Sequence, residues 1–187
     1  MYRAVTWKVL KHGLQPTQTD LVVEIAGGMQ LVLKPGKAGQ QVFVDGIEVT
    51  DAIRSNEINR NVSLIAAIPQ IRGILVHLQQ QMAASKGIVM DGRDIGTHVL
   101  PDAEVKIFLT ASVQERAERR YIEMADPTIS LEQLTQEIAK RDQMDEQREA
   151  SPLIKAEDAH LLDSTKLTLL EVVDQVLSLC RSQASGG

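Results

Sequence analysis

Apolar residues recur at helical spacing in the opening stretch, where Met1, Ala4, Val5, Val9 and Leu10 share one face. The pattern predicts an amphipathic helix, although no Ser, Thr, Asp or Asn stands before it as a cap. Three short apolar runs follow, "LVVEIAGG" (21–28), "MQLVLK" (29–34) and "QQVFVDG" (40–46), broken by Gly28 and by Lys34-Pro35-Gly36. They read as three strands of a small antiparallel meander. Helical periodicity returns in "SNEINRNVSLIAAI" (55–68), with Ser55 as its cap. It restarts at Pro69 in "PQIRGILVHLQQQMAAS" (69–85), with Gly87 near its end.

The second half alternates differently. "KGIVMDG" (86–92) is a short apolar run ending in Asp and Gly, the form of a buried parallel strand. "AEVKIFLTAS" (103–112) is a second such strand, and "AHLLDST" (159–165) a third. Ser112 with Glu115, and Thr168 with Glu171, stand at capping-box spacing before the helices that follow these last two strands. A long helix spans 130–149 between them, and "RSQASGG" closes the chain as a frayed tail. Strands alternating with helices predict an α/β fold, a parallel sheet flanked by helices with ligands at its C-terminal strand ends.

Composition narrows the function. The 187 residues carry 43% hydrophobic side chains, enough for a real core in one domain with a small insertion. Aromatic residues make up only 3% and the net charge is −5, which speaks against a nucleic-acid surface. A small anionic ligand needs only a local group of arginines. The one cysteine, Cys180, gives neither a disulfide framework nor a metal cage, and His12, His77, His98 and His160 share no ligand spacing. No apolar run reaches membrane-span length, so a soluble cytoplasmic monomer is expected.

Candidate chemistry concentrates in three places. Asp91, Arg93 and Asp94 lie between Gly92 and Gly96, just past the 86–92 run. Asp91 alone reads as a charged surface turn, whereas three charges between two glycines point to a ligand site. Arg141, Asp145 and Arg148 stand at i, i+4 and i+7 on one helix face. Their spacing alone fits an exposed face with intrahelical ion pairs. Arg93 on another element favours a phosphate, which guanidinium forks bind bidentately. Arg116, Arg119 and Arg120 form a third set, either a solvated helix face or a lid closing over transferring phosphates. Ser63 and Arg72, taken alone, read as helix-surface positions.

Three segments together carry a resemblance: "DAIRSNEINRNVSLIAAIPQIRGILVHLQQ", "GIVMDGRDIGTHVLPDAEVKIFLTAS" and "EIAKRDQMDEQREASPLIKAEDAHLLDST". They resemble the bacterial cytidylate kinase family of P-loop nucleoside monophosphate kinases, over residues 1 to about 179. The resemblance implies transfer of the γ-phosphate of ATP to CMP or dCMP, with Mg²⁺, and no nucleic-acid or membrane partner. It implies that Ser63, Arg72 and Asp94 face cytosine and that Asp145 holds the ribose. Arg3, Arg93, Arg141 and Arg148 would hold the acceptor phosphate, and catalytic roles would fall to Arg93, Arg148, Arg116 and Arg120. Residues 1–19 and 61–179 would form the kinase core, 20–60 the monophosphate-binding insertion and 180–187 a disordered tail. His98 replaces a usual aliphatic residue and is expected only to adjust packing behind its loop.

The phosphate loop G-x-x-x-x-G-K-[ST] does not occur in these 187 residues. "KPGKAG" (34–39) lacks the earlier glycine and has Ala38 where the hydroxyl should stand, and "GIVMDGRD" has arginine in place of lysine. In the family, the position of "MYRA" follows the loop, its helix and a second strand, on the order of 30 residues or more. The expectation is therefore a start placed at an internal methionine, or a fragment, with N-terminal strands missing and apolar sheet faces open to aggregation. The alternative function is an inactive CMP-binding remnant.

Overall fold

The computed structural model describes residues 1–37, 39–85, 87–124 and 129–185. They divide into two compact units, Met1–Ile88 and Val89–Gly187.

The first unit opens with helix α1 (Tyr2–Lys11), whose first turn is closed by the Met1 carbonyl accepting the amides of Ala4 and Val5 at 2.9 and 3.2 Å. Ala4, Val5 and Val9 are fully buried, so the periodic face read from the sequence is the packed one. The helix stops at Gly13, whose φ of +72° lets its amide reach the Leu10 carbonyl and the Leu14 amide reach Val9. That is a Schellman arrangement, which a side chain at Gly13 would strain.

Residues 21–28 are not a strand. They lie in helix α2 (Thr19–Gly27), with Val22 and Ala26 buried one turn apart while Leu21 and Glu24 face out. The β-branched run Val22-Val23 and Ile25 suggested a strand, but its buried positions have helical period. Packing of that face settled what propensity left open. The meander instead consists of β1 (Leu31–Gly36), β2 (Gly39–Val44) and β3 (Ile47–Glu48), with Leu31 opposite Val44 and Val44 opposite Ile47. Asp45 and Gly46 join the last two, both at positive φ (50° and 81°), the two-residue turn that matches strand twist. Pro35 is tolerated because β1 is an edge strand. Helix α3 (Asn56–Ala66) is capped by Ser55, which accepts the Ile58 amide, and α4 (Pro69–Ala83) has Pro69 in its first turn. Val44, Val49, Ile65, Ile71 and Leu75 join the buried faces of α1 and α2 in one core.

The second unit begins without the strand expected at 86–92: residues 87–90 join no ladder, and Val89 is 99% exposed. An apolar run becomes a strand only when a partner takes its backbone groups, and none does here among the described residues. A single π-helical turn (Ile95–Val99) follows. Strand β4 (Ile107–Thr110) then pairs in parallel with β5 (His160–Asp163), placing Ile107 beside His160. Helices α5 (Val113–Glu123) and α6 (Leu131–Gln147) lie between them in sequence, and α7 (Leu169–Ser185) comes last. The α/β class with a small antiparallel meander is as expected, but the parallel sheet has two described strands rather than three. Leu109 and Leu161 stand exposed on that pair. Helix α7 runs on through residues assigned to a frayed tail; Gly186 and Gly187 lie outside the described residues. Among the described residues no single helix is long and apolar enough to cross a membrane.

Candidate functional site

Helix α6 carries the densest charge. Ser130 and Gln133 close its N-terminus reciprocally in a capping box, and the helix then presents Arg141, Asp145 and, at its C-cap, Arg148. Asp145 is only 3% exposed, so its charge demands compensation. Three guanidinium groups supply it: Arg93 Nε donates to Oδ2 at 3.1 Å, Arg141 Nε lies 3.9 Å from the same oxygen, and Arg148 Nη1 lies 3.8 Å from Oδ1. The helix-face reading of Arg141, Asp145 and Arg148 is therefore right about the face, but Asp145 and Arg148 on it are buried rather than solvated.

Three arginines around one aspartate leave a local surplus of two positive charges. Burial, followed by the nearby Arg93 charge, holds the Arg141 guanidinium below the usual arginine range, while Asp145 and Asp142 pull it back up. Arginine stays charged regardless, so the surplus persists at neutral pH. Such a place attracts an anion whose oxygens can take the remaining donors.

Arg93 reaches this cluster from the loop that continues into Asp94. The turn between them and the π-helical turn is tight at Gly92, where a Cβ would lie 2.8 Å from Ile95 Cγ1. Asp94 is 4% exposed, and its carbonyl accepts the amides of His98 and Val99 at 2.9 and 3.2 Å. His98 itself is exposed, with Nδ1 2.9 Å from Thr97 Oγ1, so it does not adjust packing behind the loop. Asp91 is exposed, as its surface-turn reading has it.

The arginines of α5 divide. Arg116 places Nη1 and Nη2 on the two oxygens of Asp142 at 3.0 and 2.6 Å and Nε on the Ala111 carbonyl at 3.0 Å. Arg119 donates to the Ser164 and Leu167 carbonyls and to Glu115, tying α5 to the turn beyond β5. It is a brace rather than a lid arginine. Glu115 is thereby drawn away from the reciprocal cap expected with Ser112, whose hydroxyl still accepts the Glu115 amide at 3.2 Å. Arg120 meets only Glu123, one turn on, at 3.5 Å.

The remaining candidates lie in the first unit. Arg3 Nη1 donates to the Ile53 carbonyl at 3.0 Å and to Asn59 Oδ1 at 2.6 Å. Arg72 is 4% exposed, donates to the Ala66 carbonyl at 3.0 Å and lies over the Tyr2 ring. Ser63 is buried on α3. Neither is the surface position that its helix spacing suggested. Sequence reasoning missed Asn59, Asp142 and Ser151, which hold Arg3, Arg116 and Arg148; the adjacency of Asp142 to Arg141 was the one available signal.

Among the described residues no three His, Cys, Asp or Glu side chains gather as metal ligands. The residues present therefore do not fit Mg²⁺, and no step is derived through it.

Comparison with known proteins agrees with the site. A family model for cytidylate kinase matches residues 1–182. The chain is 52% identical to a cytidylate kinase of Limosilactobacillus fermentum over 179 residues, covering 94% of this chain and 79% of that protein. It is 48% identical to one of Desulfitobacterium hafniense, covering 100% and 81%, and 49% identical to one of Bacillus subtilis, covering 95% and 80%. Charge, fold elements and likeness converge: the chain belongs to the cytidylate kinase family of nucleoside monophosphate kinases.

Proposed function

We propose that the chain binds CMP or dCMP as phosphate acceptor for ATP, giving CDP or dCDP. The observation that carries this is the surplus positive charge where Arg93, Arg141 and Arg148 surround the buried Asp145. A nucleotide phosphate offsets that charge, and each arginine fork that holds it fixes the acceptor oxygen for in-line attack. In phosphoryl transfer, positioning and electrostatics supply most of the rate. Arg93 and Arg148 act on the phosphate directly in this reading, with Arg3 as a further ligand. Arg116 and Arg120 would stabilise charge during transfer, Arg116 after exchanging Asp142 for phosphate oxygens. Asp145 would accept from the ribose hydroxyls.

Base recognition follows from donor and acceptor chemistry. Cytosine offers an amino donor at N4 and acceptors at N3 and O2. A buried carboxylate such as Asp94, or the Ser63 hydroxyl, accepts from N4, and the Arg72 fork donates to the ring acceptors. Uracil would set a carbonyl against Asp94, leaving that carboxylate without a donor at a cost of about 1–3 kcal/mol.

Calorimetry of the full chain with CMP and UMP, together with an assay of CDP formation from ATP, tests the reading. CMP should bind about tenfold or more tighter than UMP. Arg148→Ala should lower CMP affinity, and any kcat/KM for transfer, by about 100-fold; Asp94→Ala should erase the preference for CMP. Equal binding of the two nucleotides, with both variants like the parent, would sink the assignment. A second reading, CMP binding without transfer, rests on the absence of G-x-x-x-x-G-K-[ST] from these 187 residues. CDP formation by the pure chain excludes it.

A further inference from the structure

Beyond Arg148 the chain leaves α6 and folds back on it. Arg148 is the C-cap, with an extended ψ of 141°, and the Leu153 amide returns to the Asp145 carbonyl at 2.8 Å. Between them Arg148 Nε donates to the Ser151 carbonyl at 2.6 Å, while its Nη1 faces Asp145. Only 7% of the Arg148 side chain is exposed. Its guanidinium plane is therefore set from two sides, by the Ser151 carbonyl at Nε and by Asp145 at the Nη edge.

Ser151 sits at φ +51°, in the left-handed region. Asp45 is the other non-glycine residue with positive φ among those described, and its two-residue hairpin with Gly46 accounts for it. Ser151 lies in no such hairpin. A residue with a Cβ is disfavoured there by roughly tenfold, and such strain persists where the surroundings over-determine it. What the strained backbone determines at Ser151 is the position of the carbonyl that Arg148 holds.

We propose that Ser151 is a positioning residue for the acceptor phosphate. Its left-handed backbone holds the Arg148 guanidinium in the plane that presents the Nη edge beside Arg93 and Arg141. This rests on Arg148 being a phosphate ligand, as proposed above.

The test is calorimetric titration of the full chain with CMP and with inorganic phosphate, alongside thermal melts. Glycine enters the left-handed region freely, so Ser151→Gly should bind as the parent does. Ser151→Val, β-branched, should lose roughly tenfold in affinity. With Arg148 already replaced by Ala, the valine should cost nothing more, which a merely structural role would not produce. If the valine variant fails to fold, Ser151→Ala carries the same test with a smaller expected loss. Valine and alanine variants that bind like the parent, or that lose the same factor without Arg148, overturn the positioning role. If instead Arg148→Ala binds like the parent, or the parent binds neither probe, the phosphate-ligand reading fails and takes this inference with it.

Discussion

Asp145 holds a single negative charge against three guanidinium groups, and its removal leaves them facing one another. Arg93 and Arg141 keep partial access to water, while Arg148 is nearly enclosed. Asp145→Asn should therefore destabilise the protein by about 1–3 kcal/mol, between the limits for surface and buried pairs. Chemical denaturation measures it, and added phosphate should recover part of the loss by replacing the missing charge. An unchanged midpoint would mean that the three arginines are solvated well enough not to need Asp145. Residue identity and spacing showed that Arg141, Asp145 and Arg148 share a face. They could not show that Arg93, 52 residues before Asp145, would donate to it. The same limit hid Arg119, whose carbonyl partners 45 and 48 residues away turn a lid candidate into a brace.

At the level of elements, α6 matters most because Arg141, Asp145 and Arg148 all depend on its last two turns. Its start is secured by Ser130 accepting the Gln133 amide at 3.1 Å while the Gln133 side chain accepts the Ser130 amide at 3.0 Å. Ser130→Ala should cost about 1 kcal/mol in a denaturant melt, with little effect on phosphate binding, because capping is a local interaction at the far end of the helix. Helix starts of this kind were legible from short sequence signals: Ser55, Ser112, Ser130 and Thr168 all cap where they stand. Residues 21–28 and 86–92 were not. The first is a β-branched run packed as a helix, and the second an apolar run that meets no strand.

For the whole molecule, acid is the informative variable. The Lys8 ammonium at 2.9 Å, then the Gln30 amide, hold the Asp45 carboxyl below its ordinary 3.8. Asp158, beside Lys106, is lowered in the same direction, as are Asp163 and Glu171, through hydrogen bonds from Thr165 and Thr168. A carboxyl held low in the fold takes its proton first in the unfolded chain. Stability from these groups is thus complete above about pH 4.5, the ordinary value for Glu171, and drains away as pH falls through the lower folded values. Thermal melts across pH 2–6 should show this fall, and Asp45→Asn should flatten part of it. A slope unchanged by that variant would mean Asp45 titrates alike in both states.

The sequence by itself determined the local physics: where helices are capped, which turns need positive φ, which helix faces are apolar, and which residue types could hold a phosphate. These depend on neighbours within a few positions, so they are written in order along the chain. Only the tertiary structure decided that 21–28 packs as a helix, that 87–90 joins no sheet, and that Asp145 is buried among arginines from two elements. Each of those outcomes depends on burial and on partners distant in sequence. Burial is what turns a charged helix face into a strongly coupled anion site.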